Sequence, residues 1–452
     1  VGGLETLIGG TASDFVFTSS SGSTTLVSLV DTLVGGAGVD VTTLASGGNT
    51  LILRGIDTLI GGAGADFVLT GDTGTTFLVQ SGIETFVGGA GTDIVTLGDV
   101  GNTIILRGIE TLTGGAGTDV ITLGNTVNTL LVGGLETLIG GTASDFVFTS
   151  NSGSTLLVSL VDTLVGGTGV DVTTLVSGGN TLILRGIDTL IGGEGADFVF
   201  TGDTGTTFLV QSSIETFVGG AGTDIVTLGS GGNTMILRGI ETLTGGAATD
   251  VITLGNTVNT ISISGVETLI GGTSDDTVTV SGSVFFQGNT GADTLSLQAS
   301  GGTDQVAFAT ASDGAATGAS TGFDQVSNFQ AGTDKIVLTG ALRSAVDRNG
   351  DGSVGGVTRT TNTINLATDE VVSLNVTGSL TDTSLATVRS AIGSLTNSSA
   401  GASLVVLANN GTNTGAYAVT DTNGDGQVAA TEISLLGVFN NNTLSFTDVN
   451  FG

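Results

Sequence analysis

The sequence predicts an all-β protein, a parallel β-solenoid followed by a small, mainly β C-terminal domain. Three observations predict it. A glycine pair recurs at an almost constant interval, beginning at Gly9, Gly35, Gly61 and Gly88 and continuing to Gly271, with an acid four positions before it and an aspartate five positions after its first glycine. Each unit reads as three short segments, such as SGIETFV, GGAGTDIVT and LGDVGNTIIL, in which a turn ending in an acid or Asn precedes a few β-branched or apolar residues. Residues 132–260 nearly copy residues 1–129. Short strands bounded by Gly, Asn and Asp at a fixed period belong to stacked arrays rather than to one globular core.

Composition narrows the class further. The 452 residues carry 41 acids against 9 bases, a formal charge of -32, with 79 glycines and no Cys, His, Pro or Trp. Such acidity excludes nucleic acid and anionic membranes as partners and favours cations. Without Cys and His there is no disulfide framework and no usual transition-metal site. A hydrophobic fraction of 39% suffices to bury an interior, so disorder is rejected. The apolar runs are short and broken by Gly or Thr, so no membrane helix is expected. No N-terminal signal segment is read, and VGGLETLIGG (1–10) recurs verbatim at 132–141. The chain is therefore expected to be a slice, or a processed product, of a longer array.

Two coils are compatible with the pattern: a two-sided roll that closes after two segments, and a three-sided coil that closes after one whole glycine-pair unit. The three-sided coil is preferred because it stacks like on like. One column holds Asp14, Asp40, Asp66, Asp93, Asp119, Asp145, Asp171, Asp197, Asp224, Asp250 and Asp276; a second holds the upstream acids, Glu5 and Asp31 through Glu267. A third holds Asn49, Asn102, Asn128, Asn180, Asn233 and Asn259, with Ser or Thr elsewhere. Val95, Leu97, Ile104 and Leu106 alternate as inward residues should, and the paired glycines are expected to supply positive φ at the corners. The Phe positions (Phe15, Phe67, Phe77, Phe86 and their copies) fit either core or contact surface.

Carboxylates stacked one layer apart repel. At about 4.8 Å the cost is about 1 kcal/mol per pair in water and about 3–4 at an effective dielectric near 20. Arg54, Arg107, Arg185 and Arg238, each three residues before an acid, are expected to pair with it, but they are too few. Divalent cations remain, and carboxylates with free turn carbonyls form an all-oxygen environment suited to Ca²⁺.

GGAGVD (35–40), GGAGAD (61–66), GGAGTD (88–93, 114–119) and GNTGADTLS (288–296) resemble the hemolysin-type calcium-binding nonapeptide repeat of the RTX family. The resemblance covers about residues 1–340. It implies several Ca²⁺ ions held between neighbouring turns by the repeat aspartates, Asp293 included, and by backbone carbonyls. It also implies type I export and folding outside the cell. GGTASD (9–14, 140–145) and GGAATD (245–250) depart from the pattern by losing a turn glycine. Residues 322–338 resemble the segment that closes many RTX regions; there Asp324 and Asp334 are the implied ligands, with Phe323 and Phe329 covering the end.

The expected divisions are 1–272 (repetitive solenoid), 273–340 (terminal coils and cap) and 341–452 (C-terminal domain). In the last, DTNGDGQVAATE (421–432) resembles the calcium loop of EF-hands and dockerins. Asp421, Asn423, Asp425, the Gln427 carbonyl and Glu432 are its implied ligands. DRNGDGSVGGVT (347–358) carries Asp347, Asn349 and Asp351 but has Thr358 at the twelfth place, so a weaker or differently completed site is expected. Strand-like flanks place the 421–432 loop on a hairpin, and one helix is expected at about 383–395. The tail LSFTDVNFG resembles those of type I substrates and reads equally as a terminal strand.

These features lead to the expectation of a secreted, non-enzymatic structural protein. It would build an extracellular surface layer, fibre or matrix on a Gram-negative-type bacterium. Its partner would be itself, with cell-surface polysaccharide as a second candidate. The alternatives are an adhesin stalk, or the calcium-binding secretion tail of a larger exoenzyme or toxin. A calcium-dependent lyase is disfavoured, since each solenoid arginine has a twin in the duplicated block (Arg54 and Arg185, Arg107 and Arg238) and no His or Cys is present.

Overall fold

The computed structural model describes residues 3–71, 73–202, 204–299, 302–359 and 363–452. It comprises two compact units, one ending at Thr216 and the other beginning at Phe217. The first is a parallel β-solenoid of strands three to six residues long. Each strand pairs with the next but one. Ser23–Ser28 lies on Asp40–Leu44 with Ser23 opposite Asp40, and Thr50–Arg54 lies on Phe67–Thr70 with Thr50 opposite Phe67.

The coil therefore holds two strands and is the two-sided roll, which corrects the three-sided expectation. Each glycine-pair unit carries three strands and each coil two, so successive GGxGxD corners fall on opposite edges. Asp40 opens a strand of one sheet; Asp66 precedes Phe67–Thr70, in the other. The corner stacked on such an aspartate is an Asn, Ser or Thr corner on one side and an upstream acid on the other. The physical reason is complementarity on one side of each aspartate: Asn brings donors to Asp there, whereas like-on-like stacking would set carboxylate against carboxylate on both sides.

The interior follows the strand period. Val95, Leu97, Ile104 and Leu106 are buried between the sheets, while Ile94 and Ile105 are 36% and 40% exposed. Phe77 and Phe86 are core and meet edge-to-face at 5.2 Å; Phe15, Phe67, Phe146 and Phe198 face outward.

The paired glycines serve close approach rather than positive φ. A Cβ on Gly35 would lie 1.7 Å from the Gly55 carbonyl oxygen of the next coil, and one on Gly36 would lie 2.2 Å from the Ser19 carbonyl of the previous coil. Positive φ belongs instead to the glycine of R-G-I-[DE], as at Gly55 (57°). Among the described residues, the arginines of that motif form no ion pair with the acid three positions on. The Arg54 stem lies instead over Gly71 of the next coil, where a Cβ would come within 2.4 Å of Nε.

The second unit begins as the same roll. Thr260–Ser264, Thr277–Ser281, Thr294–Ser296 and Asp324–Ser327 mark its course, stacked in one sheet while their neighbours in the chain form the other. Its last coils are covered by the C-terminal segment. Ile433–Phe439 adds in parallel to Asp324–Ser327, and Val449–Phe451 adds to Lys335–Leu338. Phe329 meets Phe439 edge-to-face at 5.0 Å, and Phe323 packs partly buried against the C-terminal core. The tail is thus a terminal strand.

Ala402–Asn409, Thr414–Asp421 and Ile433–Phe439 form antiparallel neighbours, so the 421–432 loop does join two strands. Tyr417 is buried among them and donates its hydroxyl to the Leu380 carbonyl at 2.6 Å. The helix is shorter than expected, Ala386–Ile392. Gly393 ends it at φ 69°, and Leu395 lies in the strand Ser394–Thr396. Among the described residues, no helix is long and apolar enough to cross a membrane.

Candidate metal centres

Each edge of the roll carries a ladder of three corner types. Asn180 donates its backbone N–H (2.8 Å) and side-chain amide (2.9 Å) to Asp197 Oδ1, and Asp197 donates its N–H to Glu215 Oε2 at 2.7 Å. The same order runs from Asn49 through Asp66 to Glu84, from Asn102 through Asp119 to Glu136, and from Asn233 through Asp250 to Glu267. Ser23 and Thr75 take the donor place before Asp40 and Asp93, and Ser154 before Asp171. Asp145 lies between Asn128 and Asp162, and the Asp224 N–H bonds Glu241. The second carboxylate oxygen commonly accepts the N–H of the second glycine of its own turn, at 2.8 Å from Gly62 to Asp66.

From Asp40 to Asp276 these aspartates are buried, whereas Asp14 at the first corner is partly exposed. They are interior acceptors that hold each corner in shape. The departing corners behave alike: Gly141 donates to Asp145 and Gly246 to Asp250, although Ala143 and Ala248 replace a glycine. The upstream acids from Asp31 to Glu267 each accept the backbone N–H of a corner aspartate and so close a ladder step. Full like-charge columns do not form, because a neutral donor corner intervenes in every three.

One corner is different. In the second unit Asn259, Asp276, Asp293 and Asp324 follow one another on the same edge. Asn259 donates to Asp276, the Asp276 N–H to Asp293 Oδ1, and the Asp293 N–H to Asp324 Oδ1. Three carboxylates are adjacent here with no donor corner between them. Burial first, then the charges of Asp276 and Asp275, push the Asp293 carboxyl up to about 7 against the Asp276 hydrogen bond. Burial and the Asp293 charge hold Asp324 well above the carboxylate range. Asp293 Oδ2 is buried with no partner. A Cβ on Gly288 would lie 2.2 Å from that atom and 3.4 Å from Asp324 Oδ2, so only glycine lets this carboxylate approach the turn so closely. An orphaned carboxylate oxygen beside a second buried carboxylate fits a divalent cation.

Two further acids escaped the sequence reading. Asp304 accepts the Val284 N–H at 3.0 Å and donates its own to Asp334 Oδ1 at 3.0 Å, while Asp334 Oδ2 accepts from Gln330. Burial, then the Asp334 charge, raise the Asp304 carboxyl. The G-G-T-D run at 301–304 was the available signal, obscured by the long step in the chain to the next corner. Asp313 is the other: it accepts the Ala309 and Thr310 N–H groups.

The C-terminal loops are built alike. In 421–432, Asp421 Oδ2 accepts the Gly426 N–H at 2.9 Å, Asn423 Oδ1 the Asp425 N–H at 2.9 Å, and Asp425 Oδ1 the Gln427 N–H at 2.7 Å. Glu432 folds back to accept from Thr422 (2.8 Å) and Ala429 (2.9 Å). Burial works to raise Asp421 and Glu432, but these hydrogen bonds, with that from Ser398 to Asp421, outweigh it and hold both below the usual range. In 347–358, Asp347 Oδ2 accepts from Gly352 (3.3 Å), Asn349 from Asp351 (3.0 Å) and Asp351 from Ser353 (2.7 Å). Thr358 lies in the strand Gly356–Arg359, opposite Ser373. Among the described residues no group of three or more acidic side chains is arranged to hold a metal by itself, so an ion at any of these places would need carbonyl ligands as well.

The family model of the RTX calcium-binding nonapeptide repeat matches the chain in four copies, at residues 53–73, 106–134, 184–204 and 214–235. No curated protein matches the chain. The matched stretches contain the GGxGxD corners of Asp66, Asp119, Asp197 and Asp224, set in a two-sided parallel roll. The chain is a β-solenoid protein that carries four copies of the RTX calcium-binding nonapeptide repeat.

Proposed function

We propose that this chain is a secreted structural protein, hardened by several calcium ions and polymerising with itself into an extracellular layer, fibre or matrix. The observation that carries the reading is the ladder itself. The donor–Asp–acid order recurs on both edges of the first unit and presents the same surface again and again, as a building element does; a catalytic site needs one unique constellation. Ion binding is assigned first to the Asp276–Asp293–Asp324 corner, where charge is uncompensated, and to the 421–432 loop. In the ladder the aspartates already accept hydrogen bonds, so an ion there shares them with carbonyls of the neighbouring turns.

Calcium then acts as counterion and trigger: where it is scarce the acids oppose folding, and outside the cell binding energy becomes folding energy. The test is electron microscopy and sedimentation of the calcium-stripped chain before and after calcium addition. Ordered polymer that forms with calcium and dissolves in chelator is expected. A chain that stays monomeric at all calcium levels refutes the structural reading.

A further inference from the structure

The 347–358 loop lacks a twelfth-position acid, yet a carboxylate from the adjoining chain bonds the backbone group that such an acid takes in the 421–432 loop. Glu370 precedes the strand Val371–Asn375, which pairs in parallel with Gly356–Arg359. Its side chain is buried, and its Oε2 accepts the N–H of Gly355 at 2.7 Å. Gly355 is the ninth residue of its loop. In the companion loop the ninth residue is Ala429, and its N–H is accepted by Oε2 of Glu432, the twelfth residue. The two glutamates thus take the same backbone group of two equivalent loops, one from within the loop and one from the adjoining chain. The Glu370 N–H to Gly355 carbonyl bond, 2.7 Å, fixes the backbone of the substitute.

A second observation points to a ligand. Asp347, the first residue of the loop, has a side chain only 6% exposed, and its Oδ1 is buried with no partner. The equivalent atom of Asp421 accepts the Gly424 N–H at 2.6 Å. Two cations lie nearby, and one of them, Arg343, forms a long ion pair with the other oxygen of Asp347. Arg348 donates to the carbonyls of Ser403, Leu366 and Asp369, and Arg343 donates to the Gly452 carbonyl while standing 3.9 Å from Asp347 Oδ2. An open recess bounded by Arg348, Asn349, Thr368 and Glu370 gives access to Glu370.

We propose that Glu370 completes loop 347–358 as a calcium site, supplying from the neighbouring chain segment the carboxylate that Thr358 cannot. The proposal deepens the calcium-binding reading and rests on it. Its experiment is hydrogen exchange of the full chain, read by mass spectrometry across a calcium chloride titration. Exchange at 347–358 is expected to slow with calcium. Glu370→Gln is expected to raise the calcium midpoint there by roughly tenfold or more while leaving that at 421–432 unchanged. Gln still accepts the Gly355 N–H, so the fold is kept; unchanged exchange at 371–375 without calcium verifies this. Asp347→Asn is expected to act like Glu370→Gln, and Glu432→Gln to move only the 421–432 midpoint. An unshifted midpoint in Glu370→Gln, or a 347–358 segment that ignores calcium while 421–432 responds, overturns the proposal. A chain in which no segment responds overturns the calcium-binding reading itself.

Discussion

The buried aspartate of each corner is stabilised by donors that come from other coils. Asn180 supplies Asp197 with both a backbone and a side-chain donor, and its amide also bonds the Val176 carbonyl. Asn180→Ala leaves a buried carboxylate oxygen one donor short, and a loss of about 1–3 kcal/mol is expected. Urea unfolding, with an exposed Thr→Ala change as reference, measures it. Asp293 and Asp324 behave in the opposite sense. Their folded-state carboxyls hold protons that the unfolded chain releases near 3.8. The folded chain thus binds more protons between about 4 and 7, and its stability without calcium falls as pH rises through that window. Melting in chelator is expected to be lower at pH 8 than at pH 5, and Asp293→Asn to flatten part of that slope. An equally steep slope in the variant removes Asp293 as its source.

At the scale of strands, parity decides which residues matter. Phe67 and Phe77 look equivalent in sequence, both beside Thr or Asp in short apolar runs. Phe77 points into the roll beside Phe86, and Phe67 points out. Phe77→Ala is expected to cost about 3–5 kcal/mol, and Phe67→Ala less than about 1. Comparable losses at the two positions in the same unfolding experiment contradict the assigned register, because a one-residue slip exchanges every inward and outward side chain. The internal duplication obeys the same rule. It carries an odd number of strands, so Ser23–Ser28 and its copy Ser154–Ser159 stand in opposite sheets of the first unit. Nearly identical sequences thereby furnish both faces of one roll.

For the molecule as a whole, 41 acids against 9 bases make cations part of its stability. A site that binds only the folded chain adds about 2.7 kcal/mol when calcium stands at a hundred times its dissociation constant. Scanning calorimetry is expected to show melting temperature rising with calcium and falling steeply on chelation, and magnesium to substitute poorly because it dehydrates reluctantly. A melting temperature indifferent to chelator contradicts the calcium assignments.

Much of this was legible in the residues. Strand segments, inward positions such as Val95 and Ile104, the calcium-repeat family and the hairpin setting of the 421–432 loop all follow from local pattern, because alternation and turn chemistry act within a few residues. The number of strands per coil did not. A unit of three strands satisfies either coil locally, and only the pairing of each strand with the next but one, as Ser23 with Asp40 and Thr137 with Leu157, chooses the two-sided roll. That choice turned the expected Asp-on-Asp columns into donor–Asp–acid ladders and left Asp293 and Asp324 as the uncompensated pair. Strand pairing in the C-terminal segment likewise brought Glu370 to a loop that ends at Thr358. The glycine pair and its two acids were written in the sequence; which coil each of them faces was decided by the packing of backbone on backbone.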